Sequence, residues 1–62
     1  NDMGFIDYVN HAKIECAKEM LDEGTLKIYE ISDKLGYESA FYFSRVFKKL
    51  EGVSPRDYIN RN

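Results

Sequence analysis

A chain of 62 residues, 44% hydrophobic and 32% charged, has room for one small domain and too much apolar content for a disordered segment. It contains no run of about 20 apolar residues that would span a bilayer, and its first ten residues lack the basic stretch and small-residue cleavage site of a secretory signal. Cys16 has no second cysteine to pair with, so neither a disulfide nor a cysteine zinc site is expected, and a reducing, cytoplasmic setting is.

The first predicted element is a helix over residues 5–22, with no Pro or Gly inside it. At 100° per residue, Phe5, Tyr8, Val9, Ala12, Cys16 and Met20 share one arc, and Ile14, Ala17 and Leu21 share a second. Two apolar arcs on one helix predict contact with two bodies, and Cys16 is expected to be buried as a small apolar residue. Gly24 suits the left-handed position that stops a helix.

Thr25 is the expected N-cap of a shorter helix at about 27–35, whose Ile28, Ile31 and Leu35 recur on one face. Gly36 follows, where a sharp turn requires positive φ. Ser39 then caps a third helix reaching about Leu50. Phe43, Val46, Phe47 and Leu50 gather on one side of it, and Phe41, Ser44, Arg45 and Lys48 on the other, with Tyr42 and Lys49 at one flank and Ala40 at the other. Gly52 ends it. Ser54-Pro55-Arg56-Asp57 reads as a helix start with a hydroxyl cap, proline at the first position and an acid at the third. The short helix that follows is expected to turn Tyr58 and Ile59 inward. Shifted by 50 residues, segment 2–10 overlies 52–60 with Asp, Tyr and Asn coincident, an echo that predicts an earlier copy of the unit upstream.

The net charge of −2 is unevenly spread. Residues 1–38 carry four Lys against nine acids, a balance of −5, whereas residues 39–62 carry five cations against two acids, a balance of +3. An acidic protein is a poor partner for nucleic acid on average, but a duplex meets one face and not the average. Two short helices joined by a glycine turn, the second basic on its outer side, are the pattern of a helix-turn-helix in an all-α fold. Ser32 occupies the small-residue position where the two helices cross. A third helix of twelve residues is a rod of about 18 Å, able to place its first turns in a major groove about 12 Å wide.

Ile31-Ser32, Leu35-Gly36-Tyr37, Tyr42-Phe43-Ser44-Arg45-Val46-Phe47-Lys48-Lys49 and Gly52-Val53-Ser54-Pro55 with Tyr58 together resemble the DNA-binding domain of AraC/XylS-type bacterial transcription regulators. Phe5, Tyr8-Val9, Lys13-Ile14, Ala17 and Met20-Leu21 are similar to that family's linker helix. The resemblance covers the whole chain. It implies a homeodomain-like three-helix unit preceded by a long linker helix: residues 1–24 as the linker and 25–62 as the second of two helix-turn-helix units, a single partial domain. It also implies double-stranded DNA as the partner, an encounter with RNA polymerase, and a longer native chain with a first helix-turn-helix and a sensor or receiver domain. The sequence departs from the family pattern at Ser32, where Ala is usual and the extra oxygen is tolerated if it bonds back to a carbonyl. Phe41 replaces a small polar residue, Lys13 an Arg, and Ile59 an Arg.

Side-chain chemistry assigns the roles. Arg45 matches the O6 and N7 edge of guanine and is the first base reader. Phe41 suits a thymine methyl if it points outward, although it is also placed to lie against Tyr37. Ala40 adds a smaller apolar contact and Ser44 reaches a base or a phosphate. Lys48 and Lys49 contact phosphate, or form an ordinary solvated face, and Ser39 with the first helix amides offers a further phosphate site. Tyr42 is either part of the core or a phosphate contact. His11 and Glu15 are one turn apart but Cys16 lies on the opposite side of that helix, which excludes a three-ligand metal site there. With one histidine, no nucleophile-base arrangement and no phosphate loop, neither an enzyme nor a cofactor is expected. The alternative function is a helical protein-interaction module that recruits a partner through Phe5, Tyr8 and Val9.

Overall fold

The computed structural model describes residues 4–61. It contains four helices, α1 (Phe5–Glu23), α2 (Ile28–Lys34), α3 (Ala40–Glu51) and α4 (Pro55–Ile59), and no strand among the described residues. None of these helices is long and apolar enough to cross a membrane. Asp2 and Met3, at the start of the internal echo, lie outside the described residues.

α1 ends as its sequence demands, with Gly24 at φ 74° returning its N–H to the Met20 carbonyl. Of its two apolar arcs one is buried, and the other reaches the core at Met20 and is half-buried at Val9. Ile14, Ala17 and Leu21 are buried, while Phe5 and Tyr8 remain 78% and 63% exposed. Cys16 is exposed rather than buried, because the core lies against the arc of Ile14, Ala17 and Leu21 and reaches the other arc at Met20 but not at Cys16.

α2 starts later than Thr25 would allow. Its N-cap is Lys27, whose backbone N–H donates to the Glu30 carboxylate at 2.8 Å. Residues 25–27 are thereby left outside the helix, and Leu26 packs against the core. The far end is a Schellman turn: Gly36 at φ 85° donates to the Asp33 carbonyl and Tyr37 to the Ser32 carbonyl, each at 3.1 Å. Tyr37 is carried into the core by that reversal. Ser32 is fully buried, but its hydroxyl has no hydrogen-bond partner among the described residues. The bond to a carbonyl is absent; the crossing of α2 with its neighbours selects for a small side chain, and Ser satisfies the volume without satisfying the oxygen.

α3 is capped by Ser39, whose Oγ accepts from the Tyr42 amide at 3.0 Å, and stopped by Gly52 at φ 85°. Phe43 and Phe47 are buried and Val46 is half-buried, but Leu50, expected on the same side, is exposed at the last turn of the helix. Ser54 caps α4 by accepting from the Asp57 amide at 3.1 Å, with Pro55 buried at the first position. Tyr58 faces inward as expected, but Ile59 does not and is 47% exposed. The Pro55–Tyr58 edge, one turn apart, is the side that meets the core, and Ile59 lies about 100° further round.

The core joins Ile14, Ala17 and Leu21 of α1 with Ile31, Tyr37, Phe43 and Phe47. A row of rings runs through it: Tyr37 to Phe43 at 5.5 Å, Phe43 to Phe47 at 5.9 Å and Phe47 to Tyr58 at 5.6 Å. Tilted and edge-on pairs of this kind add to the burial of the rings themselves. Polar ties fasten the other elements to α1, among them the Tyr58 hydroxyl donating to Asp22 Oδ2 at 3.3 Å. Lys18 bonds Glu51 at 3.2 Å, Tyr37 donates to Asn10 Oδ1 at 2.9 Å, and Arg61 pairs with Asp22 at 2.9 Å. The third helix is thus held from behind by aromatic rings, and its other side is left to solvent.

Candidate nucleic-acid interface

The periodicity of α3 divides it sharply. Phe43 and Phe47 point into the core. One step round the helix, Phe41, Arg45, Lys48 and Lys49 are exposed, and Ala40 and Ser44 are half-buried at the margin. A shallow depression on this outer face is lined by Phe41, Ser44, Arg45, Lys48, Lys49 and Ser54. The residues singled out on the sequence as base readers and as lysine contacts therefore form one continuous surface. Ser39 begins the same helix, but its Oγ is engaged by the Tyr42 amide, so one of the amides expected for a phosphate is already satisfied.

Electrostatics favour an anion on this face. Arg45, Lys48 and Lys49 form no ion pair among the described residues, whereas Lys18 and Arg61 do. The one acid within α3, Glu51, is held on the α1 side by Lys18. Lys18 bridges Glu15 as well, and these two hydrogen bonds, that to Glu15 the stronger influence, raise its pKa above the ordinary lysine value. Sequestering Glu51 leaves three uncompensated cations on a helix with no other carboxylate.

The aromatic alternatives resolve as follows. Phe41 is 72% exposed and does not stack on Tyr37; the Arg45 guanidinium lies over its ring at 5.9 Å. Tyr42 takes the place beside Tyr37, edge-on at 5.8 Å, while remaining half-exposed. Tyr42 is part core and part surface: one edge packs and the other faces water. Burial, with Tyr42 alongside, raises the pKa of the Tyr37 phenol. Lys13 lies 4.9 Å over the other part of this cluster, the Tyr37 ring.

Sequence reasoning missed part of the surface. A second groove, adjoining the first through Ser44 and Ser54, is lined also by Ala40, Arg56, Lys27 and Tyr29. Arg56 and Lys27 are exposed cations that carry the positive region from α3 to the starts of α4 and α2. The signal is present in the sequence, since Arg56 sits inside the Ser54-Pro55 helix start, where a capping motif also carries a cation. On the opposite flank, Tyr42, Arg45 and Lys49 adjoin Ile6, Asp7 and Asn10 of α1.

Comparison with known proteins places this geometry in a family. The profile of the family described as a helix-turn-helix domain matches residues 2–61. The MmsAB operon regulatory protein of Pseudomonas aeruginosa is 38% identical over 56 residues, covering 90% of this chain and 18% of its own length. The xylose operon regulatory protein of Escherichia coli K12 is 41% identical over 54 residues, covering 87% of this chain and 14% of its own. An E. coli protein named as the HTH-type transcriptional regulator YpdC is 34% identical over 59 residues, or 95% of this chain and 21% of its own length. The chain thus spans about a fifth or less of these relatives. No solved structure matches it significantly.

Proposed function

The chain belongs to the AraC-type helix-turn-helix family of transcription regulators, and from that membership we propose that it binds duplex DNA sequence-specifically with the outer face of α3 in the major groove. One observation carries the reading: α3 buries Phe43 and Phe47 and turns Arg45, Lys48 and Lys49 outward, none of them in an ion pair among the described residues. Arg45 reads a guanine edge, Phe41 and Ala40 supply apolar contact, and Ser44 reaches a base or the adjoining phosphate. Lys48, Lys49, the free edge of Tyr42 and the Ser39 end of α3 position the helix on the backbone. Lys27 and Arg56 extend that backbone contact to the other side of α3.

Residues 1–24 act as a linker helix and 25–62 as the second of two helix-turn-helix units. The bare arc of Phe5 and Tyr8 is where the first unit packs. Within a longer chain this domain delivers to DNA the state of a sensor or receiver domain, in the cytoplasm and in contact with RNA polymerase. Such a domain needs no cofactor and performs no catalysis.

The same bare arc favours the second reading, a protein-interaction module without DNA binding. Titrating a short duplex of mixed sequence into the isotopically labelled chain, followed by amide and side-chain resonance shifts, separates the two. The DNA reading predicts shifts at Phe41, Ser44, Arg45, Lys48 and Arg56 with Phe5 and Tyr8 unmoved. An undisturbed spectrum at excess duplex contradicts it.

A further inference from the structure

Phe41 is an exposed aromatic on a face made for an anion, and the backbone of DNA offers it nothing. It is 72% exposed and precedes Arg45 by one helical turn, about 6 Å along the axis. The Arg45 guanidinium lies over its ring at 5.9 Å, within the range of a cation–π contact. The ring and the guanidinium are therefore neighbours before any DNA arrives.

Resting on the DNA reading above, we propose that Phe41 and Arg45 act as one unit that reads a thymine and a guanine on adjacent base pairs. The only apolar group displayed on a base edge in the major groove is the C5-methyl of thymine, and a phenyl ring has no other specific partner there. The planar fork of arginine matches O6 and N7 of guanine, and its face remains free to stack while its edge donates. Base pairs lie about 3.4 Å apart along the duplex. Two groups in mutual contact can therefore reach neighbouring pairs, whereas bases separated by a full turn of groove would require the contact to break. The cation–π contact also restrains the guanidinium, so Phe41 orients Arg45 as well as touching its own base.

Selection from a pool of random-sequence duplexes with the 62-residue chain at low salt, followed by methyl-only substitutions in the enriched site, tests this. The enriched sites are expected to share a thymine beside a guanine in fixed order. Replacing that thymine by uracil removes one methyl group and is expected to weaken binding about four-fold; a 5-methylcytosine is expected to bind better than a cytosine there by a similar factor. Phe41→Ala is expected to erase both differences and Phe41→Leu, which keeps an apolar tip, to retain them. Because Phe41 is exposed, both variants should keep the helical circular dichroism of the parent chain. Enriched sites without the thymine–guanine pair, equal binding of thymine and uracil by the parent, or a methyl effect that survives Phe41→Ala each overturn the pairing and leave DNA binding standing. Failure to retain any duplex overturns the DNA-binding reading itself.

Discussion

Arg45 carries its charge over an aromatic ring and in no ion pair among the described residues, and the missing ion pair distinguishes it from Lys18 and Arg61, which are tied into the fold. Arg45→Ala should cost about 1–3 kcal/mol at one base pair and relax discrimination there; competition with duplexes substituted base by base measures it, and an equal loss for every substitution would reduce Arg45 to a phosphate contact. Lys48→Ala should weaken all sequences alike in the same assay. Ser32 makes the converse point about the core. Its hydroxyl is buried without a partner, an arrangement that costs about 1–3 kcal/mol. Ser32→Ala keeps the small volume and removes the orphaned oxygen, so thermal unfolding should shift upward, and a fall in melting temperature would reveal a partner for that hydroxyl. Residue-scale outcomes were the least legible in the sequence. Cys16 and Ile59 each had an apolar side chain on a plausible face, and only the position of the neighbouring helices decided that both stay outside.

At the scale of the elements, local chemistry was far more readable. Gly24, Gly36 and Gly52 sit at positive φ where each helix stops, and Ser39 and Ser54 cap as their positions require. Thr25 failed as a cap because a carboxylate three residues into the helix, Glu30, satisfied the Lys27 amide instead. Tyr37 joins three elements, bonding Asn10 of α1 and touching Tyr42 and Phe43 of α3. Its pKa is raised by burial, so the unfolded chain loses the phenolic proton first as pH rises. Stability is then fully present below the ordinary tyrosine value near 10 and declines above it. Lys18, also raised, contributes in the same direction and the same window. Melting temperatures followed from neutral to strongly alkaline pH should fall beyond about pH 10, and Tyr37→Phe should make that fall shallower at the expense of about 1 kcal/mol at neutral pH. A parent curve that stays flat, or a variant curve as steep as the parent's, would contradict the assignment.

For the molecule as a whole, the fold closes around the inner arc of α1 and leaves Phe5, Tyr8 and Cys16 of the outer arc exposed. Lys18, Asn10 and Asp22 anchor the other helices to that one scaffold. The two-arc pattern was legible from the sequence; what the sequence withheld was the surface that forms only when separate helices meet, the groove uniting Ser44, Ser54, Arg56 and Lys27. If a first helix-turn-helix unit packs on Phe5 and Tyr8, a chain extended at its N-terminus should bind duplex more tightly than residues 1–62 by entering a second groove segment; equal affinities in a gel-shift titration would contradict that packing. The central claim, that an acidic protein meets DNA through one cationic face, is tested most directly by the salt dependence of duplex binding. With about four phosphates neutralised and about 0.9 per contact, a plot of log affinity against log salt should fall with a slope near −3.6, whereas a slope near zero would contradict the account.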